Sequence, residues 1–307
     1  MRILILGGSG YLSSYLSNYL LKKNQVTVGS RDKKKIDYNF PKLRKIQVNY
    51  YSNSDLKKKI KNFDIVFHLV GMSSKECNKK GERSVQIKKK ITNNIFEACE
   101  KNNVKKLVYF SSIKVYENYS KKKNITEKSK KNINDFYSKA HLEAEKIILK
   151  GKNSIILRLS NVFGIISLTK SKELQNTIVN KFCKECLQGK IIIQDPNTVR
   201  NFLPGIILCK FVDRVISKNF NKSIILNVGY KSMSIYEIVK RVISIYESLF
   251  FFKPLLHLRK IYKNPKKFNY KSKLKNMRFN NKIFNDEIKN TLNVLKKNIN
   301  LKCKVKN

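Results

Sequence analysis

The chain has 307 residues, 41% of them hydrophobic, enough for one large core or a core with a smaller lobe, which excludes a disordered polymer. No apolar run approaches the roughly 20 residues needed to cross a bilayer, and Met1 leads straight into a glycine-rich turn, so a cytoplasmic protein without membrane contact is expected. The net charge of +45 would suit a nucleic acid, but the lysines are spread along the chain with no groove-reading element, so only salt-sensitive nonspecific binding and no specific nucleic-acid partner are expected.

In chain order, short runs of aliphatic residues alternate with amphipathic stretches. Strands are expected at residues 3–6, 26–28, 46–48, 65–70, 107–110 and 155–159. Between them, Leu12, Leu16, Tyr19 and Leu20 recur at helical spacing, as do Ile91, Ile95 and Ala98. The repeated strand–helix–strand order predicts an α/β fold with a doubly wound parallel sheet, its dinucleotide-binding domain spanning residues 1–163. After Gly164 the rhythm loosens. Helices are expected at 178–187, near 206–216 and at 234–246, and strands at 191–193 and 224–228. A Lys-rich, Pro-containing segment then leads to a last helix near 288–295. Residues 164–307 read as a smaller C-terminal substrate-binding lobe, some of whose elements return to the main sheet. Six cysteines are scattered, and the CxxC of Cys183 and Cys186 has no second pair, so buried thiols and no metal site are expected.

Gly7, Gly8, Ser9, Gly10, Tyr11 and Leu12 follow the first strand and open the first helix, where a dinucleotide pyrophosphate is expected. Glycine allows the tight turn and the close approach of backbone to phosphate. Ser13 stands where the pattern has a third glycine, and is expected to loosen helix packing without removing phosphate binding. The second strand ends in Gly29, Ser30 and Arg31 instead of an acidic residue, with Lys33, Lys34 and Lys35 beside it. An uncharged Ser30 followed by Arg31 suits a ribose 2′-phosphate, which favours NADP and leaves NAD open. A merely solvated Arg31 is the alternative.

Six ordered motifs resemble those of the extended short-chain dehydrogenases/reductases, the NAD-dependent epimerases, dehydratases and reductases that modify nucleotide sugars. They are GGSGYL at Gly7, FHLVG at Phe67, YFSSIKVY at Tyr109, YSKAHLEAE at Tyr137, RLSNVFG at Arg158 and RNFLP at Arg200. The resemblance spans roughly residues 1–300 and implies a Rossmann fold acting on a nucleotide-linked sugar, by hydride transfer with a tyrosine as proton carrier. It implies that Ser112 polarises the sugar oxygen, that Tyr137 moves the proton, and that His68, Leu69 and Val70 contact the cofactor. The side chains of His68 and His257 read as structural. A tyrosine with an ordinary pKa of about 10 needs a nearby cation to act as a base near neutrality. The family places a lysine four residues on, where this chain has His141, a partly charged imidazole expected to contact the nicotinamide ribose. The alternative register would use Lys139 but put Asp135 in place of the tyrosine, and the following LEAE favours Tyr137 and His141.

Asn161 and Arg200 resemble the residues that hold the nucleotide diphosphate, with a plain turn residue as the alternative for Asn161. Related dehydratases carry an Asp-Glu pair directly after the serine. Ile113 and Lys114 stand there, so the usual 4,6-dehydration is not expected. The resemblance also implies a homodimer through the helices carrying Ile91 and Tyr137. An epimerase or 4-keto reductase is the leading expectation, with a catalytically silent dinucleotide binder and a basic nucleic-acid binder as rivals.

Overall fold

The computed structural model describes residues 1–166, 177–258 and 265–304, with side chains described to residue 297. The first half of the chain runs β1 (Arg2–Leu6), α1 (Tyr11–Leu20), β2 (Gln25–Ser30), β3 (Arg44–Gln47), α2 (Asn53–Ile60), β4 (Ile65–His68), α3 (Ser74–Lys80), α4 (Glu82–Lys101), β5 (Lys106–Ser112), β6 (Asn124–Ile125) and α5 (Phe136–Ile148). It continues with β7 (Ser154–Leu159), β8 (Asn161–Phe163), α6 (Ile178–Leu187), β9 (Lys190–Ile193), β10 (Val199–Pro204), α7 (Gly205–Ile216), β11 (Ile224–Val228) and β12 (Lys231–Ser234). The chain closes with α8 (Ile235–Phe250), β13 (Leu255–Leu258), β14 (Asn269–Tyr270) and α9 (Asn281–Lys304).

Ile3, Leu4, Ile5 and Leu6 are all fully buried. A strand apolar on both sides belongs inside a parallel sheet covered by helices on each face. Seven parallel strands pair in the order β11-β7-β5-β4-β1-β2-β3. Residues of alternate parity meet opposite faces. Ile3, Ile5, Phe67, Val108 and Ile155 pack with α1 and α7, whereas Leu4, Leu6, Val66, Tyr109 and Ile156 pack with α2, α4 and α5. The expected doubly wound Rossmann architecture is therefore present, and β11 returns to the main sheet beside β7.

A second core joins α6, α8 and α9 to a three-stranded sheet in the order β12-β10-β8. The sequence reading placed no strand at β10, where the polar Arg200 and Asn201 hide the apolar pattern of Val199, Phe202 and Leu203. The strand expected to reach Val70 stops at His68, and Leu69 donates one last backbone hydrogen bond to Leu6 at 2.9 Å before the chain turns. Ser234 and Glu237 form the capping box that starts α8. No helix among the described residues is long and apolar enough to cross a membrane.

The sheet positions the site through its register. Leu6 lies opposite both Gly29 and His68, His68 opposite Tyr109, and Ser112 opposite Leu159, so the C-terminal ends of five neighbouring strands form one edge. Strand order reverses between β1 and β4, and ligands of open α/β sheets bind outside the carboxyl ends at such a switch point.

Candidate active site

Between β1 and α1 the glycine turn is held by its neighbours. The N–H groups of Gly7 and Gly8 donate to the Gly29 carbonyl at 3.0 and 2.8 Å, and the Tyr50 hydroxyl donates to the same carbonyl at 2.8 Å. Gly7 has φ +96°, and a Cβ there would lie 2.9 Å from the Leu69 carbonyl carbon, so only glycine lets the two loops approach. Gly10 caps α1 with no side-chain hydrogen bond, which leaves the first-turn N–H groups of the helix open to an anion. Ser13, expected to loosen the helix, is instead fully buried and 2.6 Å from the Tyr38 hydroxyl, which donates to the Gly8 carbonyl at 2.8 Å. The hydroxyl in place of a glycine thus joins a network that braces the turn.

At the end of β2, Ser30 is buried with its hydroxyl 3.5 Å from that of Ser9. Arg31 is exposed and borders an open cavity of about 560 Å³ with Gln47, Asn49, Ser52, Asp55 and Lys59. His68 does not reach the cleft with its side chain. It is fully buried, its Nε2 lies 3.0 Å from the Thr92 hydroxyl, and burial drives its pKa well below the usual range. Leu69 borders the cleft, while the Val70 carbonyl accepts from the Lys88 ammonium. His257 is exposed on β13.

Just past the glycine turn, the start of α1 borders a cavity of about 330 Å³ lined by Tyr11, Leu12, Leu69, Lys88, Ser112, Tyr137 and His141 among others. Local hydrogen bonds seat α5 against β5. Asp135 caps the helix by accepting from Ser138 N–H at 2.9 Å, and the Ser138 hydroxyl donates to the Lys114 carbonyl at 2.7 Å. This seating places Tyr137 on the wall of the same cavity as Ser112, two of the residues expected to act together. Burial raises the Tyr137 pKa, and the Ser112 hydrogen bond opposes it.

His141 lies one turn on, its ring centroid 4.6 Å from that of Tyr137. It is buried, and desolvation first, then the charges of Lys88 and Lys114, push its pKa well below the usual imidazole value. The expectation of a partly charged imidazole is therefore revised to a neutral one. Its Nδ1 is 2.7 Å from the Tyr109 hydroxyl. Burial holds that hydroxyl protonated, so Tyr109 donates, Nδ1 accepts, and Nε2 carries the hydrogen. Lys139 sits on the outer side of α5, 3.1 Å from Glu82, which leaves Tyr137 and His141 as the cavity-facing pair.

Asn161 and Arg200 do not meet in this cavity. Asn161 donates to the Asn201 carbonyl at 2.9 Å across the β8–β10 pair, which is more than a plain turn role. Arg200 lines a second cavity of about 360 Å³ with Lys181, Gln194 and Thr198, and its buried Nε has no hydrogen-bond partner among the described residues. Three residues bordering the reactive cavity or its wall were not singled out from sequence: Lys88, Tyr109, and Ser160, whose buried hydroxyl is unpartnered among the described residues.

Residues 3–229 match the model of the NAD dependent epimerase/dehydratase family. The chain belongs to this family. A dTDP-D-glucose 4,6-dehydratase of Dictyostelium discoideum is 26% identical over 70% of the chain, which spans about half (54%) of that protein's length. The fold also matches UDP-N-acetylglucosamine 4-epimerase of Methanobrevibacter ruminantium, solved with UDP-N-acetylmuramic acid, at TM-score 0.76 and 22% identity over 96% of this chain and 98% of that one. UDP-glucose 4-epimerase of Bifidobacterium longum, solved with NAD+ and UDP, matches at TM-score 0.77 and 18% identity over 98% and 99% of the two chains. In this epimerase/dehydratase family member, the start of α1 after the glycine turn and the residues Ser112, Tyr137 and His141 line one cavity at the carboxyl edge of the sheet.

Proposed function

We propose that the protein is an NAD(P)-dependent epimerase or 4-keto reductase of a nucleotide-linked sugar. The observation that carries this reading is a cavity that Ser112, Tyr137 and His141 line together with Tyr11 and Leu12, the residues that follow the glycine turn. The residues fit a dinucleotide. Gly7 leaves backbone room that a Cβ would fill, and the uncapped N-terminus of α1 offers N–H donors to a pyrophosphate. Ser30 and Arg31 border the place for the adenosine ribose, which favours a 2′-phosphate there. The nicotinamide, when bound, supplies the hydride chemistry.

The protein's own groups handle the proton and the orientation. Ser112 donates to the sugar oxygen at the reacting carbon, and the Tyr137 oxygen takes or returns the hydroxyl proton. The Nε2–H of neutral His141 serves as a hydrogen-bond donor into the cavity and not as a charge. Arg200, with its unpartnered Nε, suits a phosphate oxygen of the nucleotide diphosphate. Ile113 and Lys114 offer no carboxyl group to protonate a leaving hydroxyl, so elimination is not the reading favoured here, despite the dehydratase relative.

The test is incubation with UDP-, dTDP- and GDP-hexoses and their 4-keto derivatives, with both nicotinamide cofactors, read by mass spectrometry and NMR. Tyr137→Phe should lower turnover by about 100-fold or more while leaving dinucleotide affinity nearly unchanged. A 4-keto-6-deoxy product would replace this reading by dehydration. Tight dinucleotide binding without turnover of any sugar would favour the silent binder, the reading to which the neutral His141 lends weight.

A further inference from the structure

We propose that Lys88 is the proton-transfer partner of Tyr137, projecting from α4 into the cavity that holds Ser112, Tyr137 and His141 and taking up the positive charge when Tyr137 gives up its proton. The inference rests on the role given to Tyr137 above. A buried phenol needs either a cation or a proton acceptor beside it to work near neutrality, and α5 supplies neither, because His141 is neutral with its Nδ1 engaged by Tyr109.

Lys88 lies across the same wall. It is 5% exposed, borders the cavity, and stands 4.8 Å from the centroid of the Tyr109 ring whose hydroxyl holds His141. One ammonium hydrogen goes to the Val70 carbonyl, and an ammonium has two more to offer. No carboxylate pairs with it among the described residues. The titratable groups facing it are His68 on β4, Cys77 on α3, Tyr109 on β5 and His141 on α5, and burial keeps both imidazoles neutral and the thiol and phenol protonated. Burying an unpaired lysine is unfavourable, and its retention in a cleft marks function. Burial lowers the amine to about 7, where it exchanges protons at working pH.

The step balances. In sugar oxidation the hydroxyl proton passes to the Tyr137 oxygen, the Tyr137 proton passes to the Lys88 amine, which becomes ammonium, and the hydride leaves the carbon for the nicotinamide. Ketone reduction runs the same transfers backwards. Lys114 is another cation near the tyrosine, its Nζ 5.4 Å from the ring centroid and its pKa lowered by burial and then by the charge of Arg200, but it does not line the cavity.

Two measurements on the full chain test this. The first needs no turnover: NMR titration of the Tyr137 ring carbon, assigned by its loss in Tyr137→Phe. Lys88→Arg, a cation that does not titrate, should lower the Tyr137 pKa by about one unit or more. An unchanged pKa, or a shift produced by Lys114→Met instead, overturns the proposal even if no sugar is ever turned over. The second is the pH profile of single-turnover oxidation and reduction in the active protein. Oxidation should rise and reduction fall with pH through about 7, and both limbs should vanish in Lys88→Met with about a tenfold loss of rate near neutrality. His141→Lys added to Lys88→Met should recover rate, which a structural role in holding Val70 would not allow. Limbs that persist in Lys88→Met overturn the proposal, and this measurement stands in for the first where arginine unfolds the chain.

Discussion

Glu287 on α9 should make the fold less stable as pH rises, and Glu287→Gln should remove that dependence. The carboxyl is 5% exposed and accepts from the Tyr15 hydroxyl of α1, yet burial outweighs that hydrogen bond and raises its pKa from 4.5 to about 7. Gly164, at φ +118°, packs so closely on Glu287 and Tyr15 that a Cβ would collide with both, so the carboxyl has little room to turn toward water. A folded-state pKa above the unfolded one means that the folded chain binds the proton more tightly. The associated stability is fully present below about pH 4.5 and is lost as pH rises through about 7. That difference between the folded and unfolded pKa corresponds to about 3 kcal/mol. Glutamine keeps an acceptor for Tyr15 without the charge, so it should stabilise the fold by up to about 3 kcal/mol at pH 8 and by little or nothing at pH 5. For a chain of this length that is a rise in melting temperature of about 4–5 °C at the higher pH. Calorimetry of both proteins across that range is the assay. Equal melting shifts at the two pH values, or a lower melting temperature for Glu287→Gln at pH 8, would refute a buried, proton-holding carboxyl.

Two further outcomes are expected. Arg158 and Glu145 are 1% and 3% exposed, joined by two N–H donors of the guanidinium, with Ser111 donating to the same carboxylate at 2.6 Å and Arg158 to Tyr116 at 2.7 Å. Glu145→Gln should therefore destabilise the fold by about 3–5 kcal/mol by leaving a buried guanidinium unpaired, and denaturant unfolding within about 1 kcal/mol of the unmutated protein would count against it. Arg31→Ala should weaken NADPH binding by about tenfold or more while leaving NADH nearly unaffected, as fits the loss of one charge-assisted phosphate contact. Calorimetric titration showing an NADH preference in the unmutated protein would overturn the choice of NADP.

The sheet was legible because parallel strands buried on both faces leave unbroken aliphatic runs. Ile3, Leu4, Ile5 and Leu6, and later Ile155, Ile156 and Leu157, are such runs, and each became a central strand. Helix α6 was readable to the residue because its apolar face repeats at Val179, Phe182, Cys183 and Cys186. β10 was not, because its neighbours β8 and β12 are distant in sequence and its Arg200 and Asn201 serve cavity and hydrogen bonds instead of core. α2 was missed for a related reason: Lys57, Lys58 and Lys59 mask the two residues, Leu56 and Ile60, that fix it to the sheet.

The site was legible where chain order carries it, in the glycine turn and in Ser112, Tyr137 and His141, and illegible where charge hides in charge. Lys88 stands in a run with Lys89 and Lys90, and composition alone reads such a run as a solvated face. Helical phase separates them. Val85, Lys88, Ile91, Thr92 and Ile95 share one buried stripe of α4, so Lys88 occupies an apolar position while its two neighbours face outward. Glu145 does the same on α5 between Ala144 and Ile148, and Glu287 on α9 between Phe284 and Ile288. A charged residue at the apolar phase of an amphipathic helix must be paired, neutralised or used. Glu145 is paired by Arg158, and burial favours the neutral form of Glu287 beside Tyr15. Lys88 has no opposite charge beside it among the described residues, and it borders a cavity shared with a tyrosine. An amine brought by burial to about 7 on the wall of that cavity is placed to exchange its proton with the tyrosine, and this is why the cation absent from position 141 is to be sought on the neighbouring helix.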